Sequence, residues 1–258
     1  MSSEHNQTIL ELAGTGFRYS GNKPLIKDLT FSVGNGEFIG LLGANGSGKS
    51  TILKLAGGIL KPSDGHINLW GKQLGSYSNK DRAKLLCYLP QLLDMNIPFK
   101  VGELVSMGLY PYDIPPEISV DDALALVGLL DKSGSYLANL SGGERRRAFI
   151  AMTLLQGAGL LLLDEPLANL DIKYQLEIHR LLKDLKDTKN ISVIMALHDI
   201  NMALQFKKVM LIKEGKILGI GEPENVLKRE LLKEAFDVDI EVRKQNGGGT
   251  WLSYGESS

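Results

Sequence analysis

Several things are scarce in this 258-residue sequence, and each scarcity removes a class of protein. A single cysteine, Cys87, leaves no internal disulfide framework and no cysteine-based zinc site, which suits a reducing compartment and leaves Cys87 as a packing residue. No apolar run approaches the roughly 20 residues needed to span a bilayer. The opening Met1-Ser2-Ser3-Glu4-His5-Asn6-Gln7 lacks the basic and apolar regions of a secretory signal. The chain is therefore expected in the cytoplasm, with any membrane role exercised through a partner. An excess of one charge is missing too: the formal net charge is −1, which argues against nucleic acid as the main partner. What remains is 43% hydrophobic content, enough for a full core in one large domain or two small ones.

One stretch organises the rest. Gly43-Ala44-Asn45-Gly46-Ser47-Gly48-Lys49-Ser50-Thr51 fits the pattern G-x-x-x-x-G-K-[ST] at every defined position. Glu37 to Leu42 before it reads as a buried parallel strand and Ser50 to Ala56 after it as a helix, the context a phosphate-binding loop requires. Gly43, Gly46 and Gly48 put no side chain between backbone and ligand, so successive N–H groups can wrap a phosphate at the helix N-terminus. Lys49 would bridge the outer phosphates, and Ser50 would offer its hydroxyl to Mg²⁺.

Ahead of the loop, Ile9 to Leu12 and Leu29 to Val33 read as an antiparallel pair of strands separated by the turn signal Ser20-Gly21-Asn22-Lys23-Pro24. Tyr19 between them is either a strand residue packed on a neighbour or a platform for a purine ring, and the pattern leaves both open. After the loop helix, His66 to Trp70 and Leu85 to Leu89 read as strands, the second running into Pro90-Gln91. Strand ends are where open parallel sheets meet ligands, although an exposed glutamine is ordinarily only solvated. From Leu92 to about Gln156 strand-like runs give way to helical spacing, broken by Pro111, Pro115 and Pro116. This insert leads into Leu140-Ser141-Gly142-Gly143-Glu144, a second potential anion-binding helix N-terminus. Arg145, Arg146 and Arg147 then read by default as a solvated helix face.

Leu160-Leu161-Leu162-Leu163-Asp164-Glu165-Pro166 is an apolar strand that must be buried on both faces, so its first charges emerge at the carboxyl end. Asp164 is placed to hold Mg²⁺ through water, and Glu165 to take a proton from attacking water. A bare helix cap is the alternative for this carboxylate pair. Ile191 to Leu197 repeats the design and ends in His198-Asp199.

In this order the elements resemble the nucleotide-binding subunit of an ATP-binding cassette (ABC) transporter, over roughly Leu10 to Phe236. The resemblance implies an α/β fold: a P-loop NTPase (RecA-like) core in residues 1–91 and 157–236 with an antiparallel β subdomain, and a helical subdomain in 92–156; the tail in 237–258 reads from its composition as a short strand pair around a flexible turn. By position, the resemblance implies that Tyr19 stacks on adenine, that Gly43 to Thr51 hold the phosphates, and that Gln91 touches Mg²⁺ and links the site to the helical subdomain. It further implies that Ser141, Gly142 and Gly143 contact ATP held by a second copy, that Asp164 is the metal-associated aspartate and Glu165 the general base, that Asp171 lies on the cross-dimer loop, and that His198 senses the γ-phosphate. Departures from the family pattern are Arg146 for a glutamine, Met152 for a frequent arginine, and Leu167 for a threonine.

Glu103 to Tyr112, Leu170 to Gln175 and His198 to Ala203 are similar to importers of iron-siderophores, haem and cobalamin. On that resemblance the chain is an ATP hydrolase using ATP and Mg²⁺, working as a head-to-tail dimer on the inner face of the membrane. Its partners would be integral-membrane permease subunits and an external solute-binding protein, with no nucleic acid; an exporter subunit is the alternative within transporters. Soluble ABC ATPases generally carry two cassettes or a long coiled coil, whereas this chain has one phosphate loop, one signature and no heptad run. Leu92 to Tyr112 is the expected docking surface for the permease, with subdomain core as the alternative for its apolar residues.

Overall fold

The computed structural model describes residues 7–19, 24–91, 98–114, 118–168, 170–244 and 250–254. In chain order its elements are β1 (Thr8–Phe17), β2 (Ile26–Gly34), β3 (Phe38–Leu42), α1 (Lys49–Ala56), β4 (Asp64–Leu69), β5 (Lys72–Gln73), α2 (Asn79–Leu85), β6 (Leu86–Leu89), α3 (Val101–Ser106), α4 (Val120–Leu126) and α5 (Gly142–Gln156). The remainder are β7 (Leu160–Asp164), α6 (Ile172–Lys189), β8 (Ser192–Leu197), α7 (Ile200–Ala203), β9 (Lys208–Lys213), β10 (Lys216–Gly221), α8 (Pro223–Val226), α9 (Arg229–Phe236), β11 (Ile240–Lys244) and β12 (Thr250–Tyr254). The alternation of strands and helices is the expected α/β class. Two compact units emerge, residues 1–73 with 194–258, and residues 74–193.

The first unit holds an antiparallel sheet in the order β2-β1-β4-β5. Along β2, Leu29, Phe31 and Val33 are buried while Thr30 and Ser32 are exposed, the period of two that a sheet with one wet face requires. Beside it run strands in the order β10-β9-β3-β8, of which β8 enters this unit at Ile194. The expected parallel strand is β3, buried along its whole length and paired in parallel with β9 from Ile39↔Lys208 to Leu42↔Leu211. A Cβ at Gly40 would lie 3.0 Å from Leu197 and 3.2 Å from the Phe206 ring, so the small residue lets the end of β8 and Phe206 close on the middle of β3. The tail forms the expected strand pair, antiparallel from Ile240↔Tyr254 to Lys244↔Thr250.

The second unit pairs β6 with β7 in parallel, Leu86↔Leu160 through Leu89↔Leu163. All five residues of β7 are buried, as its unbroken apolar run demands. The stretch read as helical carries α3, α4 and α5, and α5 packs against both of the others. Ser119 and Asp122 cap α4 reciprocally, and Gly157 ends α5 at φ 65°, where glycine is least strained. Strand boundaries moved slightly: Trp70 lies beyond β4, and Leu85 closes α2 instead of opening β6. Cys87 is buried, and desolvation raises its thiol to about 12, so it packs as a neutral group. Residues 1–6, 20–23, 92–97, 115–117, 169, 245–249 and 255–258 lie outside the described residues, and with them the turn signal Ser20 to Lys23, the first part of the Leu92 to Tyr112 docking segment, Pro115 and Pro116. Among the described residues no helix is long and apolar enough to cross a membrane.

Candidate functional site: a phosphate loop and a carboxylate cluster

In the first unit, Gly43 to Gly48 join the end of β3 to the start of α1. Ser47 N–H donates to Ala44 O (3.1 Å), and Gly215 N–H donates to Ser47 O (2.8 Å), tying the loop to the β9–β10 turn. Two glycines are forced. A Cβ on Gly43 would sit 2.4 Å from Ile212 O, and Gly48, the N-cap of α1, has φ 107°. Lys49 is buried, and its Nζ donates to Gly43 O (2.8 Å) and Ala44 O (3.3 Å), so the loop carries its cation folded against its own carbonyls. Ser47 Oγ is buried without a hydrogen-bond partner. An unpaired hydroxyl in such a loop is a group that a phosphate would satisfy.

Tyr19 lies just past β1, its hydroxyl 3.4 Å from Thr51 Oγ1 and its half-exposed ring edge-on to Phe17, with centroids 4.8 Å apart. The side chain therefore stands over the first turn of α1, beside the loop. The Phe17 contact is the packing on a neighbour that the first of the two readings expects, and about half of the side chain stays exposed beside the loop. His198 is exposed directly after β8, and Asp199 behind it caps α7 by accepting from Asn201 N–H (2.8 Å).

In the second unit, Asp164 and Glu165 end β7 with different surroundings. Asp164 is buried, and Tyr88 on the neighbouring β6 donates its hydroxyl to Oδ2 (3.2 Å). Glu165 is half-buried, and Gln91 donates Nε2 to its Oε2 (2.7 Å), joining two residues 74 positions apart. The bond leaves the Gln91 amide oxygen as the end able to meet a cation. Glu165 has φ 49°, left-handed for a residue with a Cβ, a conformation that costs on the order of 1–3 kcal/mol and collects at functional sites. It opens a turn, with Ala168 N–H donating to Glu165 O (3.2 Å), and it caps no helix, since α6 begins at Ile172.

The arginines behind the signature correct the sequence reading. Arg146 and Arg147 are buried, not solvated. One helical turn on from them stand Ile150 and Ala151, both buried, so the 3.6-residue period puts both arginines on the packed face of α5. Arg146 donates Nε to Pro166 O (3.1 Å), Nη1 to Gln91 O (2.7 Å) and Pro90 O (3.4 Å), and Nη2 to Asp164 O (3.1 Å) and Glu165 O. Burial lowers its pKa while Asp164 and Glu165 oppose that by favouring the cation. Arg147 bonds Val127 O (2.8 Å) and lies 4.0 Å over the Tyr174 ring. Tyr88 and Arg146 are the site neighbours that motif reading missed; for Arg146 the signal was the helical period.

At the start of α5, Ser141 Oγ accepts from Glu144 N–H (3.3 Å), and Glu144 Oε2 accepts from Ser141 N–H (2.8 Å), a reciprocal cap. The Lys132 ammonium on its other oxygen, then the Ser141 N–H, hold the Glu144 carboxyl at about 2. Gly142 and Gly143 are the first helical residues, whose N–H groups have no partner inside a helix. A Cβ on Gly143 would lie 3.3 Å from Leu170, so the signature sits beside the segment that carries Asp171, the exposed N-cap of α6.

For a metal, the described residues contain no cluster of three or more His, Cys, Asp or Glu. Within the second unit, the candidate donors Gln91 and Asp164 offer an amide and a carboxylate oxygen, both hard. Hard oxygens of this kind suit Mg²⁺, which keeps waters and takes substrate phosphates instead of a protein cage.

Residues 26–168 match the family model described as ABC transporter. The chain is 40% identical over 225 residues to the petrobactin import ATP-binding protein FpuC of Bacillus anthracis, covering 84% of this chain and 83% of the relative. It is 34% identical to the hemin import ATP-binding protein HmuV of Rhodopseudomonas palustris, covering 95% and 97%. A metal-chelate-type ABC transporter solved in an inward-facing conformation has a chain that superposes with a TM-score of 0.81 at 26% identity, covering 97% and 98%. With its phosphate loop, signature helix and strand-end carboxylates all present, the chain belongs to the ABC transporter family, as an ATPase subunit of it.

Proposed function

We propose that this chain powers the import of a metal chelate or metallated macrocycle, of the siderophore, haem or cobalamin kind, through a separate membrane permease. The observation that carries the reading is the pair of anion-directed helix starts, the Gly43–Thr51 loop and the Ser141–Gly143 cap, in a chain whose relatives include petrobactin and hemin importers. ATP is held by the loop of one copy and the Ser141, Gly142 and Gly143 of a second, with Tyr19 against adenine, Asn45, Gly46, Ser47, Gly48 and Thr51 around the phosphates and Asp171 at the seam. Bound Mg²⁺ would neutralise developing phosphate charge, with Ser50, Gln91 and Asp164 as its protein-side donors. Lys49 leaves the carbonyls of Gly43 and Ala44 for the outer phosphates. Glu165 accepts a proton from the attacking water, and His198 reports the γ-phosphate.

Residues 1–91 and 157–236 serve as the nucleotide core and 92–156 as the arm that docks the permease. Support for the docking face comes from Met107, Tyr110 and Ile114, exposed at 41%, 81% and 85% on a segment rich in apolar side chains. A solute-binding protein outside the membrane completes the importer, and the subunit sits on the inner membrane face through its permease.

The test separates binding from sandwiching. Ser141→Arg puts a bulky cation on the surface offered to the partner's nucleotide, so ATP affinity of the monomer should stay within about twofold while ATP-driven dimerisation disappears. Dimers of the variant persisting in light scattering with ATP would end the two-copy reading. Uptake of ferric siderophore, haem and cobalamin by proteoliposomes containing the permease complex then decides the cargo; ATP-driven efflux alone would make it an exporter.

A further inference from the structure

Arg146 has no role in the reading above, yet it is the most heavily engaged side chain near the carboxylates. We propose that Arg146 is a positioning residue for hydrolysis: its buried guanidinium fixes the backbones of Gln91 and Glu165 against each other, and so aims the Glu165 carboxylate. The inference rests on Glu165 being the base.

Three observations carry it. The acceptors are five main-chain carbonyls from two separate segments, Pro90 and Gln91 after β6, and Asp164 at the end of β7 with Glu165 and Pro166 just past it. An arginine has enough N–H donors, in one rigid plane, to meet all of them; a lysine ammonium or a glutamine amide does not. Next, Glu165 stands at φ 49° with its own carbonyl bonded to Nη2, so the clamp grips the strained residue itself. Lastly, the Gln91 side chain reaches Glu165 Oε2 (2.7 Å) from a residue whose carbonyl takes Nη1 (2.7 Å), closing a ring of contacts through the guanidinium. Because Arg146 lies on α5, whose N-terminal residues are Gly142 and Gly143, the same helix that presents the signature also holds the base.

The test uses the full chain with Arg146→Lys, Arg146→Gln and, as reference, Glu165→Gln. Steady-state ATP hydrolysis, fluorescent-nucleotide affinity and thermal unfolding are measured for each. Misplacing a reacting group by about 1 Å costs on the order of 100-fold, so kcat should fall about 10- to 100-fold in both arginine variants. KM and nucleotide affinity should stay near wild type, because the phosphate loop and Lys49 are untouched; the melting temperature should fall, because buried carbonyls lose their donors, so rates are measured well below it. A wild-type kcat in either variant overturns the proposal, and so does a fall in kcat matched by an equal loss of nucleotide affinity or accounted for by the unfolded fraction at the assay temperature, which marks a structural role only. The two levels are distinguishable: an active Glu165→Gln removes the base assignment and the clamp's purpose with it, whereas an inactive Glu165→Gln beside fully active arginine variants removes the clamp alone.

Discussion

Around the phosphate loop of the first unit, polar groups are turned on the loop itself or left over: Lys49 rests on Gly43 and Ala44 carbonyls, and the Ser47 hydroxyl is buried without a partner. Around the carboxylates of the second unit, side chains from distant segments are committed to one another: Tyr88 to Asp164, Gln91 to Glu165, Arg146 to five carbonyls. On the proposed function, the loop takes up an anion, and the cluster holds the base in place before a water arrives. Changes in the first should therefore register as affinity, and changes at Glu165 and its partners Gln91 and Arg146 as rate.

The largest effect that could break this contrast is at the strand end. Glu165→Gln keeps shape and accepts the Gln91 bond through its amide oxygen but cannot take a proton. Hydrolysis should fall about 10²- to 10⁴-fold with nucleotide affinity intact, and ATP should accumulate in a closed dimer. Asp164→Asn should instead weaken Mg²⁺-dependent binding and give no stable closed dimer. On the loop side, Lys49→Ala removes charge-assisted bonds to phosphate worth about 1.5–3 kcal/mol, so MgATP affinity should drop about 10- to 100-fold in calorimetry. Were Lys49→Ala to bind normally and only slow turnover, the division of labour between the units would be wrong.

The same contrast explains what the sequence made legible. A phosphate loop is local: one strand, one run of glycines and one helix, each dictated by residues next to one another, so Gly43, Gly48 and Lys49 were assignable before any coordinates. The β7 run was equally plain, because four successive leucines admit only a strand buried on both faces. Arg146 was misread because a charge on a helix is solvated by default, and only tertiary context supplies the carbonyls that let it be buried. The left-handed φ of Glu165 and the reach of Tyr88 across 76 positions have no sequence signature at all.

A smaller effect sharpens the comparison at the signature cap. Glu144 has a folded-state pKa near 2, well below the ordinary glutamate value of about 4.5, through Lys132 first and Ser141 second. A depressed carboxylate stabilises the fold fully above the unfolded value, and the contribution is lost as pH falls from about 4.5 toward 2. Glu144→Gln keeps an acceptor for Ser141 N–H but loses the ion pair with the partly exposed Lys132. Unfolding free energy at pH 7 should fall by under about 1 kcal/mol, given solvent screening of the lysine. The denaturant midpoint of the variant should also vary less with pH across that window. A variant as pH-sensitive as wild type there would deny Glu144 the depressed titration.

The smallest effect is the most discriminating for the loop, because two readouts must move in opposite directions. Ser47 Oγ is buried without a partner, and a buried polar group left unmatched destabilises the state that contains it. Deleting it in Ser47→Ala should therefore raise the melting temperature of the nucleotide-free protein, by the equivalent of a few tenths to about 1 kcal/mol. If the hydroxyl finds its partner in a bound phosphate, the same deletion removes one hydrogen bond from the complex, and ATP affinity should fall about 2- to 10-fold. The ATP-induced rise in melting temperature must then be smaller for the variant even though its starting point is higher. Thermal melts of both proteins, with and without saturating MgATP, decide it. A Ser47→Ala protein that melts lower without nucleotide would show that the hydroxyl is already satisfied within the fold, and the loop's readiness for phosphate would rest on its backbone N–H groups and Lys49 alone.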